Sequence, residues 1–172
     1  MSLIPLRRWL AVLVLCMGAN AAQAAYTISY EYIALAADTY RASFRVTGVF
    51  GQDEGFSILF PAASTVSLEA LPLAPNGDWF VSTTPVDPGL PADGTYDARA
   101  IQSGASTLDP FVVDFTWSAQ AGSPPGSLPF QITNADFSVK ETGMTTPIPE
   151  PSSMLLLAGG IALLMLHRRR NS

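Results

Sequence analysis

Residues 39–50 read TYRASFRVTGVF. Tyr40, Ala42, Phe44 and Val46 fall at alternate positions, with Arg41, Ser43, Arg45 and Thr47 between them. Successive side chains of an extended strand point to opposite faces, so this spacing suits a half-buried strand. It does not suit a helix, whose apolar stripe recurs every three to four residues. The pattern returns at Phe111, Val113, Phe115 and Trp117, with Asp114 and Thr116 opposite. Residues 26–33, 55–60, 65–71, 79–84, 94–100, 130–133 and 136–142 also read as extended. Turn chemistry separates them: Gly51-Gln52-Asp53-Glu54, Pro75-Asn76-Gly77-Asp78, Asp87-Pro88-Gly89, Ala92-Asp93-Gly94, and the Pro124-Pro125 step within 122–126. No stretch of 25–146 shows helical spacing.

Eight or nine short strands with frequent turns in about 120 residues predict an all-β domain, an antiparallel β-sandwich, with an edge-closed barrel as the alternative. Its expected core is Phe44, Val46, Phe60, Leu68, Phe80, Phe111, Val113, Phe115, Trp117 and Phe137.

Two apolar ends lie outside that domain, which divides the chain into 1–24, 25–146 and 147–172. Residues 1–24 have the three parts of a secretory signal peptide. Arg7 and Arg8 form the positive start, residues 9–17 the apolar middle, and Ala22-Gln23-Ala24 a small-x-small cleavage site. The apolar middle is too short to span a bilayer, which needs roughly 20 residues. Leu15 before Cys16 is too large for a lipoprotein site, so Cys16 is read as part of the apolar middle of the signal helix.

Charge and residue usage narrow the function classes. All 14 acidic residues lie between Glu31 and Glu150, and the basic residues of that span are Arg41, Arg45, Arg99 and Lys140. Four against fourteen is a formal charge of −10, which repels phosphate backbones and argues against nucleic-acid binding. Beyond residue 24 the chain has no Cys, so no disulfide can form within the domain. The single His, His167, is in the tail, which excludes Ser-His-Asp and Cys-His catalysis and the usual zinc sites in the domain.

The tail has its own logic. Pro147, Pro149 and Pro151 favour an extended segment, because each Pro fixes its φ and biases the preceding residue away from the helical region. Ser152 or Ser153 is a suitable N-cap. Residues 154–166 carry no charge and no polar side chain. Six Leu and one Ile contribute roughly −2 to −4 kcal/mol to membrane insertion, weakened by Gly159 and Gly160. A helix over 151–166 spans about 24 Å, short for a hydrocarbon core of roughly 30 Å. Such a transmembrane helix is either a permanent anchor that thins the bilayer or one held only until it is cut off. Arg168, Arg169 and Arg170 hold the C-terminus in the cytoplasm, so the domain faces outward.

Pro149-Glu150-Pro151-Ser152-Ser153, the Leu- and Gly-rich segment and the triple-Arg end together resemble the PEP-CTERM protein-sorting signal of Gram-negative bacteria. The resemblance covers residues 147–170 and implies recognition of Pro149, Glu150 and Pro151 by exosortase, a transpeptidase-like enzyme of the inner membrane. It further implies sorting to the cell surface or outside, and a link to exopolysaccharide and biofilm. A rigid extended segment offers its backbone to an enzyme at little ordering cost. FVVDFTW and the later PGSLPFQI are similar to domains that precede such signals and, more remotely, to cohesin-type and fibronectin-like surface modules.

Within the domain, candidate sites are few. Trp79 is out of phase with Phe80 and is the candidate glycan contact, an exposed aromatic on a sheet face. Asp87, Asp93 and Asp97 lie close in sequence but not at EF-hand spacing, and read as turn aspartates; no metal or cofactor is expected. Glu31, Glu54 and Glu69 show no sign of a paired acid and base, and no G-x-S-x-G motif is present. The expectation is an exported, non-enzymatic structural or adhesive protein of the cell envelope or extracellular matrix, associated with exopolysaccharide. A carbohydrate-binding module is the first alternative and a secreted hydrolase using carboxylates the second.

Overall fold

A computed structural model describes residues 26–87, 89, 92–118 and 123–148. Ten strands follow in chain order: β1 (Thr27–Ala36), β2 (Thr39–Thr47), β3 (Gly55–Phe60), β4 (Thr65–Leu68), β5 (Trp79–Thr84), β6 (Gly94–Ala100), β7 (Phe111–Trp117), β8 (Pro129–Thr133), β9 (Val139–Met144) and β10 (Thr146–Pro147). They form two five-stranded sheets, ordered β10-β1-β2-β7-β4 and β5-β6-β3-β8-β9. Every pairing is antiparallel except that of β10 with β1. The domain is the expected sandwich. No helix among the described residues is long and apolar enough to cross a membrane. The expected signal peptide and C-terminal transmembrane segment lie outside the described residues.

Alternation builds the core. Tyr40, Ala42, Phe44 and Val46 of β2 and Phe111, Val113, Phe115 and Trp117 of β7 are buried from the first sheet. Phe56, Ile58 and Phe60 of β3, Tyr96 and Ala98 of β6, and Phe130 and Ile132 of β8 meet them from the second. Rings interlock across the gap: Phe56 on Phe111 at 4.9 Å and 85°, and Phe60 on Phe115 at 5.3 Å. Such pairs add about 0.5–1.5 kcal/mol each beyond the area they bury. Register at the start of β3 requires glycine, since a Cβ on Gly55 would lie 2.1 Å from the Ala98 carbonyl oxygen.

Two expected core residues are outside. Phe80 is 60% exposed, because β5 starts in the opposite phase: Trp79 opposite Ala100 faces in, and Phe80 opposite Arg99 faces out. Phe137 is 71% exposed. It occupies a turn at φ 68°, where the Phe137 N–H donates to the Asn134 carbonyl, and β9 begins only at Val139. The sheet also runs past residue 146, where the domain was expected to end. Pro147 pairs with Tyr30, and the Ile148 N–H donates to the Tyr30 carbonyl at 3.0 Å.

Candidate functional site

The chain is clamped just before it leaves the domain. Thr145 is fully buried. Its N–H donates to the Leu128 carbonyl at 2.8 Å, and its Oγ1 accepts the Leu128 N–H at 2.8 Å. Thr146 then pairs with Ser29 and Pro147 with Tyr30, parallel to β1. Proline, which has no N–H to give a ladder, is tolerated here because β10 is an edge strand. The parallel direction decides where the chain goes next: toward the β1–β2 turn, away from Tyr26. Ala22, Ala24, Pro149, Glu150, Pro151, Arg168, Arg169 and Arg170 lie outside the described residues.

The outer face of the second sheet carries a groove of about 540 Å³, within the range of small-ligand sites. Ser57 of β3, Phe80 and Ser82 of β5, Asp97 and Arg99 of β6, and Gln131 and Thr133 of β8 line it, with Phe137 at one end. All are outward positions of their strands except Phe137, which the β8–β9 turn delivers. The Arg99 guanidinium lies 3.5 Å from the centre of the Phe137 ring, and its Nη1 donates to the Asp53 carbonyl at 2.7 Å. Arg99 is thus pinned between a ring and a backbone oxygen. Asp97 accepts hydrogen bonds from the Ser57 and Thr95 hydroxyls. One acid, one base, an amide, hydroxyls and two open aromatic rings make a surface suited to a neutral polar ligand with an apolar side.

The structure withdraws Trp79 from that role. Its side chain is 2% exposed, and its Nε1–H donates to the Ser106 carbonyl at 2.8 Å. Phe50, Phe56 and Phe111 pack edge-on around it, with ring centres 5.0–5.9 Å away. Being out of phase with Phe80 put one of the two outside, and it is Phe80: the larger Trp79 ring fills the space among Phe50, Phe56 and Phe111, where its N–H also keeps a partner.

The acidic candidates are scattered. Asp87 accepts the Gly89 N–H at 2.8 Å, Asp93 accepts the Ala62 N–H at 3.0 Å, and Asp97, read as a turn residue, sits within β6. No three His, Cys, Asp or Glu side chains among the described residues are grouped to hold a metal ion. Glu54 pairs with Lys140 at 3.0 Å and accepts the Gly51 N–H at 2.7 Å, which, more than Lys140, holds its carboxyl below the usual range. Glu69 accepts the Asp114 N–H at 3.1 Å. Arg41 forks onto Asp114 at 2.7 and 2.8 Å, and that hydrogen bonding raises its already high pKa. Glu31 is exposed on β1.

Residues 147–170 match the family model of the PEP-CTERM protein-sorting motif. The chain carries a PEP-CTERM sorting motif. That motif marks an exported protein sorted by exosortase. No curated protein matches the chain. Among solved structures, a cohesin module from a family 33 glycoside hydrolase of Clostridium perfringens is 12% identical. The match covers 72% of this chain and 98% of that one with a TM-score of 0.37. In this PEP-CTERM protein the motif begins inside the sheet: Pro147 is both its first matched residue and the last of β10.

Sequence reasoning missed the groove because its members come from four strands and a turn, each outward position reading locally as ordinary surface. The one usable signal was the Trp79-Phe80 pair, which guarantees an aromatic on the outer face whichever way the strand is phased.

Proposed function

We propose that this PEP-CTERM protein is a non-enzymatic structural or adhesive module of the cell envelope or extracellular matrix, delivered by exosortase and associated with exopolysaccharide. In a Gram-negative cell it is exported across the inner membrane, loses residues 1–24, and is held by its C-terminal helix until sorted. The single observation that carries this is the motif at 147–170, continuous with the last strand of an all-β domain. With no linker between sheet and matched segment, the sorting residues follow directly on Pro147 and Ile148, which are held to β1. Replacing Pro149-Glu150-Pro151 by three alanines is expected to leave the domain folded and the chain in the membrane fraction. Sorting of that variant at the wild-type level would refute the proposal.

A second function, carbohydrate binding, is supported by the groove rather than by Trp79. Phe80 and Phe137 offer ring faces to the C–H side of a sugar, and Asp97, Arg99 and Gln131 offer groups that meet hydroxyls. The expected outcome is that Phe80→Ala abolishes retention on the exopolysaccharide of the producing cell without changing the melting temperature. Equal retention of variant and wild type would remove the groove from consideration.

A further inference from the structure

We propose that the β1–β2 end of the sandwich is a lipid-contacting surface, which rests on the bilayer that holds the C-terminal segment. The proposal depends on the membrane-anchoring reading above. β1 ends in Ile33, Ala34, Leu35 and Ala36, and the turn Ala37-Asp38 leads into β2; residues 33–37 are five apolar residues in a row, all exposed. Ile33 is 51% and Leu35 47% exposed. Turns of a water-facing sandwich are normally made of polar, Gly and Pro residues. Five exposed apolar residues in succession, on a domain whose 13 acidic and 4 basic residues over 25–146 give a formal charge of −9, call for an apolar partner.

The route of the chain says which partner. β10 runs parallel to β1, so the chain passes Tyr30 heading for that same tip. Six residues lead from Ile148 to Met154, where the uncharged apolar run begins. They reach at most about 20 Å. From Tyr30 to Ala36 β1 also advances six residues, about 20 Å at strand rise. The apolar run therefore starts no farther along than the tip itself. A bilayer entered by residues 154–166 along the heading set by β10 is within reach of Ile33 and Leu35. Val66, 58% exposed on β4 at the far edge of the same sheet, stands at this end too, since Thr65 pairs with Trp117 and the Trp117 N–H donates to the Asp38 carbonyl.

The test uses the full chain, recovered from membranes with its C-terminal segment and reconstituted in vesicles of phosphatidylethanolamine and phosphatidylglycerol. In a Cys16→Ser background, Leu35→Cys and Val49→Cys each carry an environment-sensitive fluorophore. Val49 is 77% exposed and stands at the opposite end, just past the Thr47–Thr27 pair. Doxyl-labelled lipids are expected to quench the label at position 35 several-fold more strongly than at 49. Equal quenching at the two positions, with the chain still floating with the vesicles, overturns the proposal and leaves anchoring intact. Failure to float overturns the anchoring reading, and this proposal with it. A blue shift at position 35 that needs no lipid and grows with protein concentration assigns the tip to a second copy of the chain, and also overturns the proposal.

Discussion

The two sheets share one core but present different outer faces. On the first sheet that face is ionic and hydroxylic: Arg41 forks onto Asp114, and Ser67 donates to Thr116 at 3.0 Å. Its edge holds β10 and thereby the start of the sorting motif. On the second sheet the face is concave and partly aromatic, with Phe80 and Phe137 open to solvent. Inward positions of both sheets answer to the same demand, close packing, and look alike. Outward positions are free of it, and there the sheets diverge, one holding the strand that starts the sorting motif and the other a groove with exposed aromatic rings.

The sharpest way to break this contrast is at β5, where neighbouring aromatics fall on opposite sides. Trp79→Ala removes a buried ring and the shorter of two hydrogen bonds to the Ser106 carbonyl, the other coming from the Asn76 side chain; it is expected to cost about 3–5 kcal/mol in urea unfolding. Phe80→Ala should change stability by less than about 0.5 kcal/mol. Similar losses from the two would mean that the phase of β5 is wrong and that the groove does not exist as described.

A smaller effect concerns the shared core. Tyr96 is fully buried and its hydroxyl has no hydrogen-bond partner. Tyr96→Phe is expected to stabilise the fold by about 1 kcal/mol, since it removes an unsatisfied polar atom. Burial, and secondarily Glu69, raises the Tyr96 phenol pKa; burial, then Tyr30, does the same for Tyr32. Below about pH 10 both phenols are protonated in the folded and unfolded chain alike, so neither makes stability vary. Above it the unfolded chain releases protons that the folded chain keeps, so stability falls as pH rises. Tyr96→Phe should flatten part of that alkaline loss, read from melting temperature between pH 9 and 12.

The smallest effect is expected on the first sheet's outer face. The Arg41 and Asp114 side chains are 48% and 30% exposed, so Arg41→Ala should lower the melting temperature only slightly, and by less in high salt. A loss comparable to that of Trp79→Ala would make this face part of the structural core.

Much of the fold was legible because β2 and β7 alternate cleanly, and a period of two permits only one burial pattern. β5 was legible as a strand but not in its phase, since two aromatics in succession fit either face. The choice between them depended on residues distant in sequence: Phe50, Phe56 and Phe111, which surround the indole, and Ser106, which takes its N–H. Phe137 was lost to a turn whose left-handed φ no apolar residue advertises. β10 is two residues long and leaves no periodicity to read. The sorting motif was the easiest feature to find, because it is local and ordered along the chain. The groove was the hardest, because it exists only once the second sheet is assembled.

Intact mass of the protein recovered from the cell surface or medium tests the account most directly. Two cuts are expected: a mass lacking residues 1–24 and shortened near Pro149-Glu150-Pro151. A full-length mass from Met1 to Ser172, in a chain that fractionates with the cytosol, would contradict it.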